Sequence, residues 1–277
     1  PPGTGKTLLA SRLPSILPPL NAQENLEVAS IYSVANAQHT FGQRPFRAPH
    51  HTASAIALVG GGSQPKPGEI TLAHLGVLFL DELPEFDRKV LEVLRQPLES
   101  KEIVISRAAR QMTFPANFQF IAAMNPCPCG YAFNQDSRCQ CSPENIQRYQ
   151  NRISGPLLDR IDLHIDVPPL QTKELQDQSP TESSTIVRQR VMKAYDKQML
   201  RQQCLNQALS PNLLEQYAQL DENSAKIIEM AQQRLNLSAR AYHRVLRVAR
   251  TIADLAESEI ISSSHLTEAL SYRGHST

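Results

Sequence analysis

Short apolar runs alternate with helical patterns from the start of the chain to about residue 168. Two of the runs, 76–80 and 118–124, are mostly apolar and end at a polar residue, which is typical of strands buried on both faces of a sheet. A third segment, 163–167, alternates apolar and polar positions and stops at two prolines. Residues 102–115 have the pattern of a β-hairpin. This order predicts an α/β domain with a mainly parallel sheet.

The pattern changes after Pro168. Residues 169–183 are polar and contain Pro and Ser, as linkers do, and helical patterns with few strand signals follow over 184–277. Ser238 is placed to cap a long helix that runs to about Ser258. We therefore predict an α/β core over 1–168 and a small helical lid domain after the linker.

Composition narrows the class of protein. The 277 residues are 41% hydrophobic and 20% charged, which is ordinary for a globular protein with a sizeable core. No apolar run approaches the roughly 20 residues of a membrane helix, and no leader is recognisable, so a cytoplasmic protein without membrane contact is expected. The formal net charge is +1, so any contact with nucleic acid must come from local basic patches.

The chain opens on most of a phosphate-binding motif. Gly3, Thr4, Gly5, Lys6 and Thr7 match the end of the pattern G-x-x-x-x-G-K-[ST]. Backbone N–H groups of such a loop cradle phosphate oxygens, the lysine reaches the β- and γ-phosphates, and the threonine hydroxyl binds Mg²⁺. The alternative is a glycine-rich turn with a solvated lysine.

The segments around this motif carry two further expectations. The first glycine of the pattern and the strand that normally precedes it are missing, so the chain is expected to be a piece of a longer protein. The helix after the motif is expected to be short, because Pro14 and then Pro18 and Pro19 interrupt it.

Polar residues at the ends of two predicted strands complete the site. Asp81 and Glu82 follow the run 76–80; Asp81 is expected to hold Mg²⁺, and Glu82 to orient and polarise the attacking water. Asn125 ends the next strand, where an amide can sense the γ-phosphate. The alternatives are that Asp81 and Glu82 are carboxylates at the start of a helix, and that Asn125 is an ordinary turn residue. With the loop, these residues predict a site for ATP and Mg²⁺.

Six sequence motifs occur along the chain. They are P-P-G-T-G-K-T (1–7), F-R-A-P-H-H-T-A-S (46–54), G-V-L-F-L-D-E-L-P-E-F (76–86), A-A-M-N-P-C-P-C-G-Y (122–131), G-P-L-L-D-R-I-D-L-H-I (155–165) and L-S-A-R-A-Y-H-R-V-L-R-V-A-R-T-I-A-D-L (237–255). Together they resemble the magnesium-chelatase-like AAA+ P-loop ATPases, and within them the bacterial competence-associated YifB/ComM branch. The resemblance covers almost the whole chain and implies an AAA+ core followed by a helical lid. Proteins of that branch usually carry an N-terminal Lon-protease-like domain, which this sequence does not contain.

The resemblance implies roles for two arginines. Arg160 corresponds to an arginine finger that reaches the γ-phosphate held by a neighbouring subunit, and Arg240 to the second sensor of the lid. The alternatives are a salt bridge from Arg160 to Asp159 or Asp162, and a solvated helix start at Arg240. A finger supplied by a neighbour makes assembly part of catalysis, so a homo-hexamer is implied.

Four cysteines form two closely spaced pairs, Cys127 with Cys129 and Cys139 with Cys141. Four nearby thiols in a reducing compartment indicate a tetrahedral Zn²⁺ site, although C-x-C is tighter than the usual zinc spacing. The alternative is four reduced thiols. No metal site is predicted at His50 and His51, because adjacent side chains point apart in most backbones.

Two basic segments are candidates for contact with DNA. The segment 42–68 carries Arg44 and Arg47 and corresponds to an insertion in this AAA+ branch, and the hairpin 102–115 carries Arg107 and Arg110 at its tip. In related ring helicases such loops grip the phosphate backbone. Solvated basic turns are the alternative.

Three functions follow from the resemblance. The first is a hexameric DNA helicase or branch-migration motor in natural transformation and recombination, acting on single-stranded or branched DNA. The second is a magnesium-chelatase-type ATPase that drives metal insertion, and the third is a protein-remodelling ATPase.

Overall fold

A computed structural model describes residues 1–62, 65–107, 110–132, 138–169, 181–235 and 237–273, with the side chains of Arg107, Arg110 and Leu235 also outside the description. The chain divides into two compact units. The first comprises Pro1–Ser15, Pro19–Arg160 and Val167–Pro180. The second comprises Ile16–Pro18, Ile161–Asp166 and Thr181–Thr277. The predicted linker 169–183 lies largely outside the described residues, so its boundaries stay a prediction.

The first unit is a mixture of helices and short strands. The helices that begin in it are α1 (Lys6–Ile16), α2 (Ala22–Ala35), α3 (Ala55–Val59), α4 (Glu69–Leu72), α5 (Arg88–Glu92), α6 (Pro97–Ser100), α7 (Pro143–Gln150) and α8 (Gly155–Leu158). Its strands are β1 (Phe46–Arg47), β2 (Gly60–Gly61), β3 (Lys66–Pro67), β4 (Val77–Leu80), β5 (Glu102–Arg107), β6 (Arg110–Pro115) and β7 (Gln119–Ala122).

A parallel three-stranded sheet lies at the centre of this unit, with β4 between β1 and β7. Every residue of β4 is buried. Leu78 and Leu80 belong to the main apolar cluster, whereas Phe79 packs with Ala10 of α1 and with Ala123. The strand is therefore covered on both faces, as its continuous apolar run predicts. The predicted α/β class with a parallel sheet is confirmed.

Two predictions about individual secondary-structure elements are wrong. Residues 163–167 form no strand, and the backbone N–H of His164 bonds to the carbonyl of Tyr272 instead. Their alternation does not bury an apolar face, because Leu163 and Ile165 are 44% and 66% exposed. Helix α1 also continues through Pro14 to Ile16, past the residue at which the sequence predicts its interruption.

The segments predicted as an insertion and a hairpin have regular structure. Residues 42–68 include β1, α3 and the antiparallel pair of β2 with β3. Strand β5 pairs antiparallel with β6 from Glu102 and Pro115 to Arg107 and Arg110. The base of this hairpin is packed, because Ile103, Ile105 and Phe114 are buried in the main cluster.

The second unit is helical. Its helices are α9 (Ser184–Gln202), α10 (Pro211–Tyr217), α11 (Glu222–Leu235), α12 (Ala239–Leu255) and α13 (Ser263–Ser271). Ser238 caps α12 by accepting from the backbone N–H of Ala241, as the sequence predicts. A helical C-terminal region after the α/β unit is confirmed.

One buried charge network organises the helical unit. Asp254 and Arg250 of α12 are each 1% exposed, and a guanidinium nitrogen of Arg250 lies 3.1 Å from Asp254 Oδ1. Arg201 of α9 adds two hydrogen bonds to the same carboxylate, at 2.6 and 2.9 Å, and Asn206 adds a third at 2.9 Å. The carboxylate is thus saturated with donors, which is the condition for keeping such charges inside a fold.

None of the described helices combines the length and the apolar character that crossing a membrane requires.

Candidate nucleotide site

The glycine-rich loop leads directly into α1. Gly3 and Gly5 have φ of 77° and 76°, which is the left-handed region that glycine adopts without strain. A Cβ at either position would meet nothing within 4 Å, so conformation rather than space explains these glycines. Thr4 Oγ1 and Lys6 Nζ both donate to the carbonyl of Pro1, at 3.1 and 2.6 Å, and fold the loop back on itself.

Lys6 contacts the end of strand β7. Its Nζ donates to Asn125 Oδ1 at 3.1 Å, across 119 positions of the sequence. The loop and Asn125 are therefore in one place, as the prediction of a shared site requires.

Thr7 contacts the end of strand β4. Its Oγ1 donates to Asp81 Oδ2 at 2.6 Å, and the other carboxylate oxygen accepts from the backbone N–H of Glu82 at 2.9 Å. Because β4 and β7 are parallel, their carboxyl ends meet at one edge of the sheet, where α1 begins. Lys6, Thr7, Asp81 and Asn125 are assembled at this edge.

The chemistry of these donors fits a nucleotide with Mg²⁺. A hydroxyl and a carboxylate in contact are hard oxygen ligands of the kind that Mg²⁺ accepts. The start of α1 adds backbone N–H groups and the positive end of a helix dipole, which favour phosphate. Lys6 adds a full positive charge beside them.

Glu82 is held by a residue that sequence reasoning did not assign to the site. It has the left-handed backbone φ of 51° and ψ of 47°, and its side chain is 54% exposed. His51 Nδ1 lies 3.1 Å from Glu82 Oε2, within ion-pair distance of the carboxylate. The ring of His51 also meets the edge of Phe86.

The expectation that the side chains of His50 and His51 point apart is wrong. Their ring centroids lie 4.0 Å from each other, with the rings tilted by 35°. His50 bonds to Thr52 at 2.9 Å, which leaves His51 turned to Glu82. The family motif at 46–54 was the available signal that His51 belongs to the site. Its pairing with Glu82 depends on the parallel contact of β1 with β4, which the sequence pattern did not reveal.

The two arginines predicted from the family lie in different units. Arg160 follows α8, and its guanidinium donates to Glu99 Oε2 and to the Pro156 carbonyl, both at 2.6 Å. Its intrachain ion pair is thus with Glu99. Arg240 lies in the first turn of α12 and is exposed. The roles of both residues stay predictions.

The two arginines of the segment 42–68 have partners inside the fold. Arg47 makes a bidentate pair with Glu69, at 2.6 and 2.7 Å, and the hydrogen bonds of this pair raise the pKa of Arg47. Arg44 donates to the carbonyl of Leu75 at 2.5 Å. The side chains of Arg107 and Arg110 lie outside the described residues.

The four paired cysteines converge in a second cluster of the same unit. Their sulfur atoms all lie within 4.8 Å of one another, and the thiols are free. Cys127 Sγ lies 3.3 Å from Cys129 and 3.8 Å from Cys139, and the last two are 3.6 Å apart. Hydrogen bonds from the backbone of Tyr131 and then from Cys127 lower the pKa of Cys129 to about 6. This cluster could hold a metal ion as thiolates.

Comparison with known proteins agrees with these motifs. The family model described as magnesium chelatase, subunit ChlI, matches residues 1–175, and the model described as its C-terminal part matches residues 181–273. The chain is 53% identical over 277 residues to the competence protein ComM of Haemophilus influenzae, covering 99% of this chain and 54% of the relative. It is 51% identical to the uncharacterized protein YifB of Salmonella typhimurium and to that of Escherichia coli, with the same coverage.

The chain spans about half the length of the curated relatives it matches. The two family models together cover almost all of the described residues, and the parallel sheet with its glycine-rich loop is the core expected of an AAA+ protein. The family implies a nucleotide and Mg²⁺, and the donor set at the sheet edge fits both. The chain belongs to the magnesium-chelatase-like AAA+ family, together with ComM and YifB.

Proposed function

We propose that this chain is the ATP-binding and ATP-hydrolysing module of a ring-forming motor. The observation that carries the proposal is the contact of Thr7 with Asp81 at 2.6 Å, beside the contact of Lys6 with Asn125 at 3.1 Å. These four residues come from three distant parts of the sequence, and they combine a cation, an amide and two hard oxygen ligands.

Each residue has a distinct task in ATP hydrolysis. Thr7 and Asp81 would hold Mg²⁺, which when bound offsets the charge of the phosphates. Lys6 would exchange the Asn125 oxygen for phosphate oxygens, and the backbone of Gly3, Thr4 and Gly5 would surround them. Glu82, half-exposed at the sheet edge, would orient and polarise the attacking water, and Asn125 would sense the γ-phosphate.

Assembly into a homo-hexamer follows from the role proposed for Arg160. An arginine finger acts on the nucleotide of a neighbouring subunit, where its charge stabilises the transition state. The Arg160 side chain is 12% exposed and bonded to Glu99, which is itself half-exposed. To act as a finger, Arg160 would exchange this carboxylate for phosphate oxygens when two subunits meet. Arg240 would contact the same nucleotide from the lid.

DNA is the proposed substrate, as single-stranded or branched DNA handled by a helicase or branch-migration motor in transformation. The competence name of the relative from Haemophilus influenzae supports it, together with the basic residues predicted at the tip of the β5–β6 hairpin. Because Arg47 is engaged by Glu69, the hairpin is the better candidate for the DNA contact.

A chelatase-type motor is the second candidate, because both matching family models are described as magnesium chelatase. A protein-remodelling ATPase is the third. ATP turnover of the full-length protein, measured with and without branched or single-stranded DNA, separates the first function from the other two. Stimulation by DNA supports the first function, whereas turnover indifferent to DNA contradicts it.

We also propose Zn²⁺ as the metal of the four-cysteine cluster. Tetrahedral Zn²⁺ with bonds of about 2.3 Å to sulfur places its ligands about 3.8 Å from one another. The sulfur separations among Cys127, Cys129 and Cys139, 3.3 to 3.8 Å, are close to this value, and Cys141 lies within 4.8 Å of the other three. The purified full-length protein should contain about one zinc per chain, and metal analysis that finds far less would contradict the assignment.

Replacing Glu82 with Gln should abolish ATP turnover while ATP still binds. Losing the group that polarises the water lowers kcat by about 10²-fold or more. Glu85→Gln is the matched control, because Glu85 lies in the same turn but pairs with Arg152, and it should turn over ATP normally. Steady-state kinetics and equilibrium ATP binding measure the two effects. Glu82→Gln with normal kcat would refute the assigned role.

His51→Ala should lower kcat by about tenfold and leave the KM for ATP nearly unchanged, because a freed Glu82 is less well oriented. His51→Asn, which keeps a hydrogen-bond donor, should recover part of the loss. His50→Ala is the control, since His50 bonds to Thr52. Equal kcat values for all three variants and the unaltered protein would show that His51 does not position Glu82.

Replacing Arg107 and Arg110 together with Ala should weaken DNA binding. Each lost phosphate contact should reduce the slope of log affinity against log salt by about 0.7 on single-stranded DNA. A double change of Arg190 and Lys193 to Ala removes the same charge from exposed ion pairs elsewhere and serves as control. An unchanged slope in the hairpin variant would exclude this contact.

A further inference from the structure

The turn that carries the first two cysteines packs directly on the nucleotide site. Gly130 is buried and has φ of 84°. A Cβ at Gly130 would lie 2.7 Å from Cδ of Pro2, in the glycine-rich loop, and 3.7 Å from Cγ of Asn125. The turn therefore touches both the phosphate-binding loop and the amide that contacts Lys6.

The other end of the cysteine segment is linked to the residue next to this amide. Cys141 is followed by Ser142, the N-cap of α7. From the end of α7, Gln150 Nε2 donates to the carbonyl of Pro126 at 3.2 Å. Beside Gln150, burial raises the pKa of the Tyr149 hydroxyl to about 12. The residue that follows Asn125 is thus bonded to the helix that follows the four cysteines.

The sulfur atoms join these two ends. Cys127 is fully buried and accepts from the backbone N–H of Ala132 at 3.3 Å, while Cys139 approaches it from the far end of the segment at 3.8 Å. A metal ion bound by all four thiolates would fix both ends to each other, because it closes the loop between them. Without it, the sulfur atoms join the two ends only weakly, because thiols are weak hydrogen-bond donors and acceptors.

We propose that the metal–thiolate centre is a positioning element for ATP hydrolysis, which sets the place of Asn125 and of the loop at Pro2. The proposal rests on ATP turnover and on metal binding at the cysteine cluster. It assigns the metal no part in the reaction itself. Turnover then depends on occupancy of a site whose ligands lie outside the phosphate-binding loop, so loss of the metal switches the motor off.

Gly130→Ala in the full-length protein tests the contact without removing a ligand. Alanine would press on Pro2, against which the turn packs beside Asn125, so kcat/KM for ATP should fall about tenfold or more while zinc stays near one per chain. Gly42→Ala is the control, because it has a similar φ of 87° and a Cβ there meets nothing within 4 Å, and its kinetics should be normal. Gly130→Ala with full zinc and normal kcat and KM would overturn the proposal.

Cys141→Ser and Cys141→His test the metal. The serine variant should lose zinc and turnover together, whereas histidine, a common fourth ligand of zinc, should retain both. Zinc-free protein with normal kcat and KM would contradict the positioning role and leave ATP hydrolysis standing. An unaltered protein that holds zinc but hydrolyses no ATP would instead contradict the proposed hydrolysis. If the serine variant does not fold, Gly130→Ala still decides, since it keeps all four thiols.

Discussion

Parallel pairing of β4 with its two neighbours is the constraint on which the candidate site depends. The register of Leu80 with Ala122 fixes where both strands end, and the backbone N–H of Leu83 continues the contact to the Ala123 carbonyl at 2.9 Å. Because β4 is buried on both faces, a slip of one residue would exchange the side chains of its two faces. Apolar packing in the core therefore sets the position of Asp81, and with it the contact of Asp81 with Thr7.

The hydrogen bonds of Lys6 can be exchanged for bonds to a phosphate at a small cost in free energy. The described hydrogen bonds of Lys6 go to neutral oxygens, those of Pro1 and Asn125, and Asp81 accepts from a hydroxyl and a backbone N–H. Exchanging a neutral acceptor for a phosphate oxygen strengthens the hydrogen bond of the lysine, because bonds between charged groups are stronger. Breaking a buried ion pair would cost much more. The arginine at position 160 is in the opposite situation, since it already holds Glu99.

Motif spacing predicted that the glycine-rich loop, Asp81 and Asn125 lie together, because these residues are tied to strand ends that apolar runs reveal. Contacts that depend on tertiary structure were not predictable in this way. His51 reaches Glu82 through the two-residue strand β1, which is too short to give a periodic signal. Arg250 has the sequence character of a surface residue, yet it is 1% exposed beside Asp254. The alternation at 163–167 failed as a strand signal, because a period of two does not show whether either face is buried.

Two groups at the sheet edge depend on segments outside the strands that define it. Glu82 lies within ion-pair distance of His51, from the segment that also pairs Arg47 with Glu69. Asn125 lies against the turn at Gly130, and the next residue, Pro126, accepts a hydrogen bond from the helix after the cysteines. The hydrogen bonds and ion pairs of these two sets share no side chain among those described. Effects on Glu82 and on Asn125 should therefore add as free energies unless the bound nucleotide couples them. Glu82 and Asn125 can therefore be perturbed one at a time, while the parallel pairing of β4 with β7 stays unchanged.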